Sequence, residues 1–328
     1  MAGRRKRQGA RDRLKRISGS FLFLAAALSA AAGGAGASAP PGAAGGDGGP
    51  TSHPPTLQWF PRTSPGSTRA VGLVLHGLNL NPERMQPVIE ILNETGVDVL
   101  RPSLRGHGGN FANREGMGAA EARLEAIKSV SYNIWRAETL AAWREARQQA
   151  LRQGVPLVLV GYSLGGLLGL DLLASQPGVA FDRAILFAPA VSLNGWDYLI
   201  RVFSPFPRLV VPTLAPRRYL ANHGTPMAAY NALFEALDHF EAHSGPRLNL
   251  PALVFIDPRD ELVSFDGMQR LAAEASLDRW RFFPVAKSDT AAPGALHHIL
   301  IDADAVGAET WETMRRAMAA HLAAEAPR

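Results

Sequence analysis

Six short, mostly apolar runs punctuate the chain, at residues 71–75, 97–100, 157–160, 184–187, 252–256 and 280–283, and helix-like stretches separate most of them. A strand buried on both faces has no polar side to show, so it reads as a continuous apolar run rather than an alternating one. Strands of that kind lie parallel and are joined by crossover helices. The pattern therefore predicts an α/β fold, a mostly parallel central sheet with helices on both faces. Among the intervening helices, residues 82–95 carry Met85, Val88, Ile89 and Leu92 at helical spacing and end at Gly96. Further helices are expected over 131–153, around 265–275 and over 308–324.

The third run leads directly into Gly161-Tyr162-Ser163-Leu164-Gly165, and a helix-like stretch over 166–175 follows. A G-x-S-x-G pentapeptide in that context reads as a nucleophile elbow, a sharp turn from buried strand to helix that leaves the serine clear of the backbone. Small residues two before and two after the serine let the turn close without a clash. Ser163 is the candidate nucleophile.

The 328 residues are long for one domain, but α/β folds commonly exceed the usual length, so one domain with an insertion is expected. No cysteine is present, which excludes disulfides, thiolate catalysis and Cys-ligated zinc. The net charge of +5 invites a nucleic-acid reading until its distribution is considered. Arg4, Arg5, Lys6, Arg7, Arg11, Arg13, Lys15 and Arg16 stand against Asp12 alone in the first sixteen residues, and the remainder of the chain is net acidic. Nucleic acid is therefore not an expected partner.

The basic terminus precedes an apolar stretch over 21–32 and small residues with A-x-A spacing, Ala35-Gly36-Ala37 and Ala37-Ser38-Ala39. That order is the order of an export signal, and an apolar core of about a dozen residues is short of the roughly 20 needed to span a bilayer. Residues 1–39 are expected to be an export signal, making the protein periplasmic or secreted. An uncleaved signal anchor, a transit peptide and a misassigned start codon stay open as alternatives. Residues 40–56, rich in Gly, Ala and Pro, are expected to form a flexible linker, and residues 57–328 the folded domain.

From about Leu57 to the C-terminus the chain resembles the α/β-hydrolase superfamily, and within it the monoglyceride-lipase and lysophospholipase-like serine hydrolases. The resemblance rests on His76-Gly77-Leu78-Asn79, Arg105-Gly106-His107-Gly108, the pentapeptide around Ser163, and two later segments holding an acid and a histidine. A serine hydroxyl is a weak nucleophile, so a histidine must take its proton and a carboxylate must orient that histidine. In this fold their order along the chain is Ser, acid, His.

Asp257, Asp260 and Glu261 lie just past the run at 252–256. Alignment with the family's pattern favours Asp260 as the acid, with Asp257 and Glu261 as alternatives whose other readings are a loop cap and a solvated surface charge. Gly294-Ala295-Leu296-His297-His298 resembles the family's closing histidine loop. Adjacent residues do not ordinarily reach one serine together, and the small residues before the pair favour His297 over His298. The resemblance further implies an oxyanion hole from the backbone amides of Leu78 and Leu164. It makes His76 and His107 loop-forming residues, and puts Asn110 where the family often has serine. Two neighbouring histidines without an H-E-x-x-H pattern do not make a metal site, and no motif points to a nucleotide, metal or flavin cofactor.

About sixty residues, 191–250, separate two of the strands, far more than an ordinary connection. They are expected to form a cap, with residues such as Trp196, Tyr198, Phe203, Tyr230 and Phe234 divided between its own core and an acyl pocket, and with the Pro-rich 205–216 as an irregular rim. The expected function is hydrolysis of carboxylic esters with lipophilic or medium-chain acyl groups through an acyl-enzyme. The partner is a small-molecule ester or lipid, met in solution or at a membrane surface. A peptidase, thioesterase or acyltransferase using the same triad, and a non-catalytic binding protein on this fold, stay open.

Overall fold

The apolar runs become the centre of a seven-stranded sheet in the computed structural model, which describes residues 56–113, 115–195, 197–213, 215–292 and 296–324. The expected export signal at 1–39, and the expected linker except Thr56, lie outside the described residues, as do Trp196, Gly294 and Ala295. In chain order the strands are β1 (Thr56–Phe60), β2 (Ala70–Leu75), β3 (Val97–Ser103), β4 (Leu157–Tyr162), β5 (Arg183–Phe187), β6 (Val210–Pro212), β7 (Gly224–Pro226), β8 (Ala252–Ile256) and β9 (Trp280–Pro284). The main sheet runs β1-β3-β2-β4-β5-β8-β9. Only the edge strand β1 is antiparallel in it, pairing Thr56 with Ser103 and Phe60 with Val99.

The helices are α1 (Gln86–Glu94), α2 (Ala119–Ile127), α3 (Tyr132–Gln153), α4 (Leu164–Ser175), α5 (Met227–His243), α6 (Phe265–Glu274), α7 (Ala303–Val306) and α8 (Ala308–Ala323). Alternate residues of each central strand feed two separate cores. In β4, Leu157 and Leu159 join Trp135 and Ala142 of α3 and Leu167 of α4, whereas Val158 and Val160 join Val88 and Leu92 of α1 and Met314 and Met318 of α8. That double burial is why β4 is apolar at every position from Leu157 to Val160.

Local chemistry sets the helix ends. Ser131 caps α3 by accepting from the amide of Ile134, and Gly154 closes that helix at φ 65°. The stretch expected as one helix over 82–95 divides into a 3-10 turn, Pro82–Met85, and α1. Pro87 has no N–H to donate back along a continuous helix, so it is accommodated only where a first turn begins.

Between β5 and β8 the chain builds an insertion containing β6, β7 and α5. The Pro-rich segment is more regular than expected, because β6 pairs antiparallel with β7, Val211 opposite Thr225. Among the contacts that tie the insertion to the sheet region, those at two places stand out. His239 of α5 lies 2.6 Å, Nδ1 to Oδ1, from the fully buried Asp171 of α4, which also accepts from the Tyr132 hydroxyl at 2.6 Å. At the other place, Leu80 bridges to Leu220, and the amides of Asn81 and Ala221 bond to the carbonyls of Tyr219 and Asn79. No helix among the described residues is long and apolar enough to cross a membrane.

Candidate active site

Ser163 occupies the turn between β4 and α4 with φ 51° and ψ −117°, a conformation that non-glycine residues rarely adopt and that costs on the order of 1–3 kcal/mol. Three backbone bonds hold it there. Its N–H donates to the Phe187 carbonyl at 2.9 Å, and its own carbonyl accepts from Leu167 and Ala190, both at 3.1 Å. The flanking glycines are required by space. A Cβ at Gly161 would lie 2.5 Å from the Cα of Gly166, and one at Gly165 would lie 2.3 Å from the Leu75 carbonyl oxygen.

The Ser163 hydroxyl lies 2.9 Å from Nε2 of His298, and Nδ1 of His298 lies 2.8 Å from Oδ2 of Asp260. The other oxygen of Asp260 accepts from the amides of Leu262 at 2.8 Å and Val263 at 2.9 Å, so the carboxylate is fixed from both sides. This corrects the sequence reading at one position. His298, not His297, faces the serine. The two histidines sit in a turn that sends their rings apart, and Nδ1 of His297 lies 2.7 Å from Oδ2 of Asp257. The His297 side chain is 29% exposed and that of His298 only 6%.

The two carboxylates left as alternatives both have hydrogen-bond partners, Asp257 fully buried and Glu261 half-buried. Burial pushes Asp257 upward, but bonds from His297 and from the Arg259 side chain and amide outweigh it and hold its carboxyl below the usual range. Glu261 accepts from the amide of His297 at 3.0 Å and from that of His298 at 3.2 Å, one oxygen for each. Lys287 donates to the Leu296 carbonyl at 2.5 Å; burial pushes its ammonium down, while Glu261, Asp257 and Asp260 oppose the shift. The strand-end loop at 257–261 and the histidine turn are thus joined at four points. Sequence reasoning missed this arrangement. The only signal for it was the density of acids at 257–261.

Of the two residues expected to supply oxyanion donors, Leu164 directly follows Ser163 and Leu78 faces it from another loop. Leu164 is the first residue of α4, so its amide has no carbonyl four residues back in the helix to bond. Leu78 lines the cavity that contains Ser163 and His298. Its loop presses on the elbow, since a Cβ at Gly77 would come within 2.7 Å of the Tyr162 ring and 3.3 Å of the Ser163 Cβ.

That loop is shaped by the two histidines expected to be structural. His107 Nε2 accepts the amide of Asn79 at 2.9 Å, and His76 Nε2 accepts the amide of Leu104 at 3.1 Å. Burial pushes His76 down to about 4 and His107 well below its ordinary value, so both are neutral at pH 7. A protonated ring could not accept those bonds. Asn110, in the departure from the family's serine, donates to the Ser103 carbonyl at 2.8 Å and to Glu138 at 3.1 Å, bracing the 104–110 loop that carries His107.

Over Ser163 lies a cavity of about 150 Å³ whose walls are largely apolar. The insertion supplies much of the wall, including Leu199, Phe203, Tyr230, Leu233 and Phe234. Other apolar residues of the insertion take neither of the two expected roles: Leu237 packs in the main core with α4 and the sheet, and Phe206 is 62% exposed. The described residues contain no cluster of three or more His, Asp or Glu suited to a metal ion.

A family model described as serine aminopeptidase, S33, matches residues 66–231, a segment that contains Leu78, Ser163 and Leu164. No curated protein matches the chain. Among solved structures, it is similar to one from the pair LipS and LipT, two metagenome-derived lipolytic enzymes (20% identity, TM-score 0.61, covering 81% of this chain and 96% of that one). It is similar to a soluble variant of monoglyceride lipase from Saccharomyces cerevisiae, in complex with a substrate analog (13%, TM-score 0.62, 81% and 90%). It is also similar to the monoacylglycerol lipase of Paleococcus ferrophilus (18%, TM-score 0.56, 82% and 100%). At these identities the likeness is one of fold, and it is the α/β-hydrolase fold.

Proposed function

The chain belongs to the serine aminopeptidase S33 family, and from that premise we propose that it is a serine hydrolase that cleaves carboxylic esters of lipophilic or medium-chain acyl groups. The observation that carries this reading is the unbroken hydrogen-bonded line from Asp260 through His298 to Ser163 at the floor of an apolar cavity.

In this mechanism His298 Nε2 takes the Ser163 hydroxyl proton as Oγ attacks the ester carbonyl carbon. Asp260 accepts the Nδ1 proton in a hydrogen bond, which keeps Nε2 free to act as a base and stabilises the imidazolium that forms. The negative oxygen of the tetrahedral intermediate is received by the amides of Leu78 and Leu164. The Nε2 proton then passes to the departing alkoxide, and the C–O bond breaks to release the alcohol. Water, deprotonated by the same nitrogen, attacks acyl-Ser163; collapse returns the proton to Oγ and releases the acid.

An ester is favoured over a peptide with a free amino terminus by the character of the cavity. A substrate ammonium needs a carboxylate partner when it leaves water. Among the described residues lining the cavity none is Asp or Glu. Export by the N-terminal segment is part of the proposal, supported by the order of charged, apolar and small residues at 1–39.

The test is intact mass after treatment with a fluorophosphonate, followed by a panel of esters of graded acyl length. The expected result is one adduct per chain, none on Ser163→Ala, and turnover that rises from acetate toward medium chains. A folded protein that takes up no reagent overturns the hydrolase reading in favour of a binding protein.

A further inference from the structure

Two hydroxyls in the apolar cavity are not explained by the chemistry at Ser163. Thr213 and Thr225, brought together by the β6–β7 ribbon, both line the cavity, with their Oγ1 atoms 3.1 Å apart. Thr225 is 2% exposed. Three other polar side chains nearby have partners. The Asn79 side chain exchanges hydrogen bonds with Asn222, the Tyr219 hydroxyl donates to Asp302 at 2.8 Å, and His298 serves Ser163.

Two hydroxyls own two protons, and a single O–H···O bond between them uses one. Thr213 Oγ1 also accepts from the Asn79 Nδ2 at 3.4 Å, which brings in a donor and no acceptor. The second threonine proton therefore has no acceptor among the described residues. Thr225 is buried and Thr213 half-buried, so this donor borders the space a substrate fills, and a purely hydrocarbon ligand filling that space would strand it there. A ligand hydroxyl would satisfy it and could donate in return to a remaining threonine lone pair.

We propose that Thr213 and Thr225 form a polar subsite that recognises a hydroxyl group on an otherwise apolar ester, so that a hydroxylated ester is the preferred substrate class. The inference rests on the ester-hydrolase reading. Because Asn79 directly follows Leu78, the pair adjoins the loop that carries a proposed oxyanion donor. The hydroxyl belongs to either the acyl or the alcohol half of the substrate, and the experiment separates the two.

The full chain is assayed for kcat/KM on nitrophenyl octanoate against octanoates hydroxylated at successive carbons, and on octanoate esters of simple alkanols against those of the matching diols. The readout is the ratio of hydroxylated to plain ester. A ratio of about ten at one position in one series is expected for one well-placed hydrogen bond, and the series that gives it identifies the half carrying the hydroxyl. Thr225→Val and Thr213→Val should bring that ratio close to one, and Thr225→Ser, which keeps the hydroxyl, should retain it. A general folding loss lowers both esters together and leaves the ratio standing. No preference in either series, or a preference that survives both valine variants, overturns the subsite. Wild-type protein that neither labels at Ser163 nor turns over any ester overturns the hydrolase reading itself. Labelling and turnover without preference remove the subsite alone.

Discussion

Glu261 holds His298 by its backbone: the carboxylate Oε2 accepts the His298 amide at 3.2 Å while Oε1 accepts that of His297 at 3.0 Å. A carboxylate spanning two consecutive amides sets where the turn sits, and through it where Nε2 stands relative to Ser163. Small displacements of a reacting group cost as much as about 100-fold in rate. Glu261→Ala is therefore expected to lower kcat by about tenfold or more with little change in KM, measured on a medium-chain ester. Equal activity would show that Asp260 and the surrounding packing suffice to place the ring.

The neighbouring histidines should separate sharply in function. His298→Gln is expected to lose at least about 10³-fold in kcat and most of the fluorophosphonate labelling rate. His297→Gln, which removes only the contact to Asp257, should lose less than about tenfold. The reverse order in a side-by-side assay would restore His297 as the base.

Asn222 is the insertion's hold on the loop that carries Leu78. Its amide and side chain both donate to the Asn79 Oδ1, at 2.9 and 3.2 Å, and its carbonyl accepts from the Asn79 Nδ2. Asn79 stands at φ 52°, so this exchange maintains a backbone conformation that has its own cost. Asn222→Ala, which keeps the backbone bonds but removes the side-chain bonds to Asn79 Oδ1 and to the Gly106 carbonyl, should reduce stability by about 1–3 kcal/mol in urea unfolding and also lower kcat. A variant that unfolds earlier but keeps full kcat would mean that the loop holds its shape without the insertion.

The buried neutral histidines predict a pH dependence of stability. Burial lowers His76 from its ordinary 6.5 to about 4, and His107 is lowered in the same direction. Between those pH values the unfolded chain binds protons that the folded chain refuses, so unfolding becomes easier as pH falls from 6.5 toward 4. Above 6.5 both states are neutral and the histidines add no slope. Urea midpoints at pH 7, 5.5 and 4.5 should decline across the last two, and His76→Asn should flatten part of that decline. A slope unchanged in the variant would assign the effect to other groups.

Much of this protein is written locally in its sequence. The strands were legible because residues buried on both faces leave no polar position, as at 157–160. The elbow was legible because glycine stands at both positions that leave no room for a Cβ, Gly161 against Gly166 within the turn and Gly165 against the backbone of Leu75 on the neighbouring strand. The loop-forming roles of His76 and His107 were implied by the family resemblance of the short motifs that contain them. Other elements left weaker marks. β1 presents mostly exposed residues and is held by pairing with β3, and α2 is an Ala- and Glu-rich segment without a strong apolar stripe.

What only the tertiary structure decided is how residues distant in sequence divide the work. His297 and His298 are chemically identical neighbours, and nothing in their spacing says which ring a turn will aim inward. That choice is made by Asp257, Asp260 and Glu261, some forty residues earlier, which take one ring, the other ring, and both amides. The pairing of Thr213 with Thr225 depends likewise on the β6–β7 ribbon closing over the cavity. Local sequence determines backbone conformation because sterics and burial act within a few residues. Side-chain partnership depends on a packing of separate segments that no single segment contains.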